Sequence, residues 1–172
     1  MAISHPEEVL SFSLSEWDQL IRQARSMGLL GAIEGRLDQF GLLGQVPSVA
    51  RPHLEAARNI ALSHERVIRW EVHCLQKAIA SVQTEITLLK GAAYILCGLP
   101  NARGRLLSDV DILVPKSQLR AVETALLDHG WKGLKLEKYD QRFYRQWGHE
   151  LPPLVHEERG TVVDVHHNIL PE

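Results

Sequence analysis

The spacing of apolar and polar positions divides the chain into two characters. From Ser13 to Val82 the apolar residues recur every three or four positions, the helical period, whereas from Glu85 onward short β-rich runs alternate with brief helical stretches. Ser13-Leu14-Ser15-Glu16 offers a capping box ahead of Trp17, Leu20, Ile21 and Ala24, and Gly28 stands where that helix needs its C-terminal cap. A second helix is expected from Leu29 to Phe40, with Leu30, Ile33 and Leu37 on one side and Gly41 behind it. A third spans about Pro52 to Val82 with the stripe Leu54, Ala57, Ala61, Ile68, Leu75, Ile79 and Val82. Pro52 suits its first turn, where the missing N–H would have had no partner.

Beyond Glu85, Ile86-Thr87-Leu88-Leu89 reads as a short strand ended by Lys90-Gly91, and Ala92 to Cys97 as one or two helical turns. After the loop Gly98 to Gly104, Val110 to Val114 is a second strand, closed by Pro115. Ser117 is expected to cap a helix with Leu119, Val122, Ala125 and Leu126 inward, ending at Gly130. Trp131 to Leu136 is a further candidate strand, Tyr139 to Trp147 follows neither period, and Thr161 to Ile169 is a strand entered through a turn near Arg159-Gly160. The expected organisation is a helical segment, residues 1–83, followed by a mixed α/β core, residues 84–172.

Composition narrows the class without naming a function. A chain of 172 residues at 45% hydrophobic and 23% charged can bury a core. Its formal net charge of −2 gives no reason to expect a long nucleic acid or an anionic membrane as partner. Between Asn101 and Arg145, nine Lys or Arg stand against six Asp or Glu, a surplus of three that suits a solvated helix face or the approach of a nucleotide. Cys74 and Cys97 form no CxxC pair and are expected reduced and buried. His5, Pro6, Glu7 and Glu8 stand where a secretory signal would be basic and then apolar, and no apolar run approaches the roughly 20 residues of a membrane span. A cytoplasmic location is the expectation.

The chemistry concentrates at Ser108-Asp109-Val110-Asp111-Ile112-Leu113-Val114. Strand side chains alternate, so Asp109 and Asp111 project one way while Val110, Ile112 and Val114 project the other. Two like charges this close destabilise the fold unless a cation or proton intervenes. Mg²⁺ is a hard ion that binds through one or two protein carboxylates plus substrate phosphates. In Val162-Val163-Asp164-Val165-His166 the same alternation sets Asp164 on the face of His166 and offers the third carboxylate that a two-metal site uses. Upstream, Lys90-Gly91 is either a phosphate-binding turn ahead of helix N–H groups or a tight strand-to-helix turn with an exposed Lys.

Lys90-Gly91, then Arg105-x-x-Ser108-Asp109-x-Asp111-Ile112-Leu113-Val114, the helix from Leu126 to the Gly before Trp131, and Val163-Asp164-Val165-His166-His167 together resemble the nucleotidyltransferase family 5 proteins. That family lies within the superfamily sharing a polymerase-β-like nucleotidyltransferase core. The resemblance spans about Leu88 to Ile169 and implies an α+β fold, a mixed sheet flanked by helices, behind the N-terminal helical segment. It implies transfer of a nucleoside monophosphate from an NTP to an acceptor hydroxyl on an unidentified small molecule or protein, with Mg²⁺ or Mn²⁺. Asp109, Asp111 and Asp164 would be the metal ligands and catalytic carboxylates, and Lys90, Gly91, Arg105 and Ser108 the nucleotide contacts. The wider superfamily opens the helix after its first strand with Gly-Ser; here Lys90-Gly91 stands instead, so a Ser contact to phosphate is missing and Lys90 is the candidate cation in its place. Arg105 reads equally as a surface residue at a loop end. Relatives continue well past the third carboxylate strand, whereas this sequence stops eight residues after Asp164, so a fragment or a reduced core is expected.

Two other readings stay open: a catalytically silent nucleotide-binding or interaction module, and a phosphoesterase that uses the same carboxylates with water as acceptor. His149, His156, His166 and His167 lie close in sequence, but without HExxH or a Cys pair their spacing does not describe a zinc site. His166 is read either as an orienting group for the acceptor or for the Asp164 carboxylate, or as a hydrogen-bonded structural His. Trp17, Trp70, Trp131 and Trp147 are too scattered for a base-stacking platform and are expected in the core or a groove.

Overall fold

The computed structural model describes residues 3–133 and 150–169. The expected end of the strand at Leu136, the stretch Tyr139 to Trp147, and His149 lie outside the described residues. Among the described residues five α-helices, α1 (Leu14–Ser26), α2 (Leu30–Gln39), α3 (Arg51–Ala78), α4 (Lys90–Leu96) and α5 (Leu119–Asp128), accompany five strands. These are β1 (Thr87–Leu88), β2 (Asp109–Leu113), β3 (Trp131–Gly133), β4 (Leu154–His156) and β5 (Val162–His166). The chain forms two compact units: Met1–Val67 with Cys97–Leu106, and Ile68–Leu96 with Leu107–Glu172. Among the described residues no helix is long and apolar enough to cross a membrane.

The first unit is helical, and its boundaries follow capping chemistry. The Ser13 hydroxyl accepts from the Glu16 N–H, and the Glu16 carboxylate accepts from the Ser13 N–H at 2.7 Å, which closes the capping box. At the other end Gly28, at φ +68°, lets the Leu29 N–H reach back to the Ala24 carbonyl at 2.7 Å while its own N–H bonds Arg25. Gly41 repeats that stop for α2, with Leu42 bonded to Leu37 at 2.8 Å. The helical stripes then meet in a core of Trp17, Ile21, Ala24, Leu30, Ile33, Leu37 and Leu54. Each fully buried aliphatic there contributes roughly 1.5–3 kcal/mol.

The second unit is an α+β layer with a mixed five-stranded sheet in the order β1-β2-β5-β4-β3 and helices against it, as expected. β2 and β5 run parallel at its centre; the other pairs are antiparallel. Val110 lies opposite Val163 and Ile112 opposite Val165, all at most 1% exposed, so one face of the central pair is apolar. β4 carried no signal in the sequence. It has three residues and follows Pro152-Pro153, yet its line continues across the prolines as a bridge between Glu150 and His166, with the Leu151 N–H bonded to the Val165 carbonyl at 2.8 Å.

Three local expectations are corrected. Ser117 does not cap α5: the chain enters that helix through a 3₁₀ turn, Lys116–Gln118, with no side-chain cap at either start. Cys97 is exposed and Cys74 half-buried, because Cys97 falls just beyond the end of the short α4. Trp70 is 58% exposed on α3, while Trp17 and Trp131 are buried.

Candidate functional site

The parallel pairing of β2 and β5 sets Asp111 directly opposite Asp164. Alternation adds Asp109 and His166 to the same face, away from the Val110, Ile112, Val163 and Val165 side. The sheet thus gathers the three carboxylates that the sequence singled out. Asp111 is almost fully buried, at 3% exposed, and Asp109 and Asp164 are half-buried.

Lys90 reaches this face from the edge of the sheet. β1 pairs with β2, and the Leu89 N–H donates to the Asp111 carbonyl at 2.9 Å. At the next residue the backbone turns through φ +46°, a left-handed conformation that costs a non-glycine residue roughly 1–2 kcal/mol. The turn carries the Lys90 ammonium to Asp111 Oδ1, at 2.5 Å. That bond raises the lysine's pKa above its ordinary value; burial opposes the shift, and the charges of Asp111, Asp109 and Asp164 add to it. A glycine follows for a packing reason: Gly91 is buried, and a Cβ there would overlap the Leu107 side chain.

His166 meets the same oxygen of Asp111. Its Nε2 lies 2.9 Å from Asp111 Oδ1 and its Nδ1 lies 3.0 Å from Glu150 Oε2, so the ring bridges two carboxylates. Glu150 was invisible to sequence reasoning. It belongs to no motif, and its place is set by the backbone bridge to His166 across the sheet.

Among the described residues four carboxylates, Asp109, Asp111, Asp164 and Glu150, gather about the Lys90 ammonium and the His166 ring, and Asp164 bears the imbalance. Its Oδ1 is buried without a hydrogen-bond partner among the described residues. Burial first, and then the charges of Asp109, Glu150 and Asp111, push its pKa up to about 6, against a smaller opposing effect of His166. Hard oxygen donors with surplus negative charge are the chemistry a divalent cation requires. The side chains as they stand do not form a ready cage: among the described residues no group of three His, Cys, Asp or Glu is arranged to hold a metal. Lys90 and His166 engage Asp111 instead, so the charge of that carboxylate is met by side chains of the protein itself.

The remaining candidates divide. Ser108 is exposed at the bend just before β2, in the same unit as the carboxylates. Arg105 belongs to the first unit, where it lines a cavity with Arg36 and Arg103. His156 is buried elsewhere in the second unit, edge-on to Trp131 with ring centroids 4.8 Å apart and beside Arg159, which bonds Glu71 at 2.8 Å.

A mixed sheet whose central parallel strands present carboxylates on one face has the layout expected of a nucleotidyltransferase core. A family model described as an uncharacterised nucleotidyltransferase matches residues 13–172, and the chain belongs to that family. Neither a curated protein nor a solved structure matches it.

Proposed function

We propose that the protein transfers a nucleoside monophosphate from an NTP to an acceptor hydroxyl at the Asp109–Asp111–Asp164 face. Family membership supports the reaction class. The observation that carries the site is the register of β2 and β5, which aligns Asp111 with Asp164 and leaves Asp164 Oδ1 buried without a partner among the described residues. Asp109, Asp111 and Asp164 would hold Mg²⁺ or Mn²⁺. When bound, the metal would offset charge on the reacting phosphate and lower the pKa of the acceptor hydroxyl. Glu150 acts through His166 to hold the Asp111 carboxylate in place. Lys90 neutralises Asp111 before substrate arrives and turns to the incoming triphosphate once the carboxylate is taken, with Ser108 and the backbone at Gly91 as further phosphate contacts.

A second reading has its own observation. Asp111 is already satisfied by Lys90 and His166 without any metal, an arrangement that also serves a catalytically silent nucleotide-binding module. One titration separates the two: ATP, GTP, CTP and UTP, each with Mg²⁺, into the wild type and Asp109→Asn/Asp111→Asn. The transferase reading expects saturable, Mg²⁺-dependent binding of at least one nucleotide, weakened by about a hundredfold in the double variant, together with nucleotide-dependent release of pyrophosphate. Equal binding by both proteins would remove the carboxylates from the site. Binding without pyrophosphate release from any tested acceptor mixture would favour the silent module, and release of inorganic phosphate alone would indicate hydrolysis.

A further inference from the structure

Lys90 and Asp111 are unequal partners. The Asp111 side chain is 4% exposed and that of Lys90 61% exposed, so the carboxylate is fixed in the sheet while the ammonium has solvent to turn into. The backbone holds the two residues together in either case, because the Leu89 N–H stays bonded to the Asp111 carbonyl at 2.9 Å. Rotation about the flexible four-carbon stem of the lysine is enough to open the contact.

The contact also falls on a particular oxygen and at a particular cost. Asp111 Oδ1 takes both Lys90 Nζ at 2.5 Å and His166 Nε2 at 2.9 Å, while Asp164 Oδ1, across the β2–β5 pair, is buried without a hydrogen-bond partner among the described residues. Glycine would adopt the φ of +46° at position 90 freely, yet the glycine stands one residue later, where a Cβ would overlap Leu107, and a lysine holds the strained position. Backbone strain under a side chain that lands on a candidate metal ligand is an outlier with a functional reading. An ammonium is a compact, strongly hydrated charge, and it repels a divalent ion brought to the same carboxylate oxygen.

We propose that the Lys90 ammonium competes with a divalent cation for Asp111, so that the cation is admitted together with a triphosphate that draws the ammonium away, and is held weakly without one. The inference rests on the metal-dependent transferase reading and adds an order of events to it. Mg²⁺ binds through one or two protein carboxylates plus substrate phosphates, so a lysine that yields to phosphate ties the two arrivals together. By linkage, each then strengthens the binding of the other. Once pyrophosphate has left, the ammonium returns to Asp111.

Uptake of Mn²⁺ alone, read from the electron paramagnetic resonance signal of the free ion, tests the competition without any turnover. The proteins are the wild type, Lys90→Met, Lys90→Arg, Asp111→Asn and Lys90→Met/Asp111→Asn, each checked for cooperative melting. Lys90→Gly, which suits the backbone at φ +46°, replaces Lys90→Met wherever that substitution prevents folding. Lys90→Met should bind Mn²⁺ more tightly than the wild type by about ten- to a hundredfold, the size of effect that groups bonded to metal ligands have on metal affinity. Lys90→Arg, which keeps the charge, should stay near the wild type. Lys90→Met/Asp111→Asn should bind no more tightly than Asp111→Asn. The Mn²⁺ complex of inorganic tripolyphosphate should bind the wild type more tightly than Mn²⁺ alone, and that margin should narrow by about tenfold or more in Lys90→Met.

Equal Mn²⁺ affinity in the wild type and Lys90→Met, with binding lost in Asp111→Asn, overturns the competition and leaves the metal reading standing. A gain from Lys90→Met that persists beside Asp111→Asn also overturns it, because the general field of a removed charge would then account for the effect. An unchanged margin for the tripolyphosphate complex overturns the order of events. No uptake of Mn²⁺ by any of the proteins, alone or with tripolyphosphate, removes the metal reading and this inference with it.

Discussion

Trp17, Ile21, Leu37 and Leu54 fill the first unit with apolar volume, whereas the second buries Asp111, His166, His156 and Glu71 beside Val110, Ile112, Val163 and Val165. Among the described residues Glu34 is the one buried charged or polar side chain of the first unit; the other four all belong to the second. Apolar burial stabilises in proportion to the area removed from water, while buried charge costs free energy unless it is paired and hydrogen-bonded. The charges of the second unit fall into two groups. Around Glu71 the pairing is close, with Arg159 bonded to its carboxylate at 2.8 Å and stacked over Trp131 at 4.9 Å. Around Asp111 the carboxylates outnumber the cations among the described residues; Asp164 Oδ1 lacks a hydrogen-bond partner there, as Glu71 Oε2 does, but it is Asp164 whose carboxyl the neighbouring charges of Asp109, Glu150 and Asp111 push up. A surplus of buried like charge is something a fold retains at a stability cost, which separates the candidate site from the structural pair.

The largest effect should come from the apolar side of this contrast. Leu37 is fully enclosed among the residues of the first unit's core, so Leu37→Ala removes both transfer free energy and packing, and should destabilise the protein by about 3–5 kcal/mol. Urea unfolding measures it, and a loss below about 1 kcal/mol would mean that this core collapses freely around the deletion. The paired charge of the second unit comes next. Arg159→Met leaves Glu71, at 2% exposed, without its cation, and should cost about 2–3 kcal/mol, less than a fully sequestered pair because the arginine side chain is itself 29% exposed. Unchanged stability in that variant would show that water reaches Glu71, and the distinction between paired and surplus charge would weaken.

How much of this was legible beforehand depended on whether the determinant was local. Caps are local: Ser13 with Glu16, then Gly28 and Gly41, fix helix ends through atoms a few residues apart, and the helices begin and stop where those residues predict. The shared face of Asp109 and Asp111, and that of Asp164 and His166, were legible too, because strand alternation is a property of the chain itself; that the two pairs meet depends on the register of β2 and β5. What could not be read depended on distant backbone. Lys90 meets Asp111 through an unusual φ at the edge of the sheet, and Glu150 meets His166 through a bridge beyond two prolines. Cys97 and Trp70 misled because residue type predicts burial only on average.

The smallest effect should have the opposite sign, and it probes the surplus directly. Asp164 has its carboxyl raised from 3.8 to about 6 in the folded protein. Below about pH 4 the group is protonated in both folded and unfolded chains and contributes no penalty. As pH rises toward 6 the unfolded chain ionises more readily, so the native state loses stability, and above about 6 the full penalty is present. Asp164→Asn removes the charge without changing the shape of the side chain. In the presence of a chelator it should be more stable than the wild type above pH 6, by about 1–2 kcal/mol once screening by solvent is allowed for, and the two proteins should converge below pH 4. Thermal unfolding across pH 3.5 to 8 reads the difference. Adding Mg²⁺ at pH 7.5 should then stabilise the wild type and leave the variant largely unmoved, which narrows or reverses the order. A variant no more stable than the wild type at pH 7.5, or one whose advantage persists at pH 3.5, would show that Asp164 carries no surplus charge, and the contrast between the paired and the surplus charges of the second unit would fall.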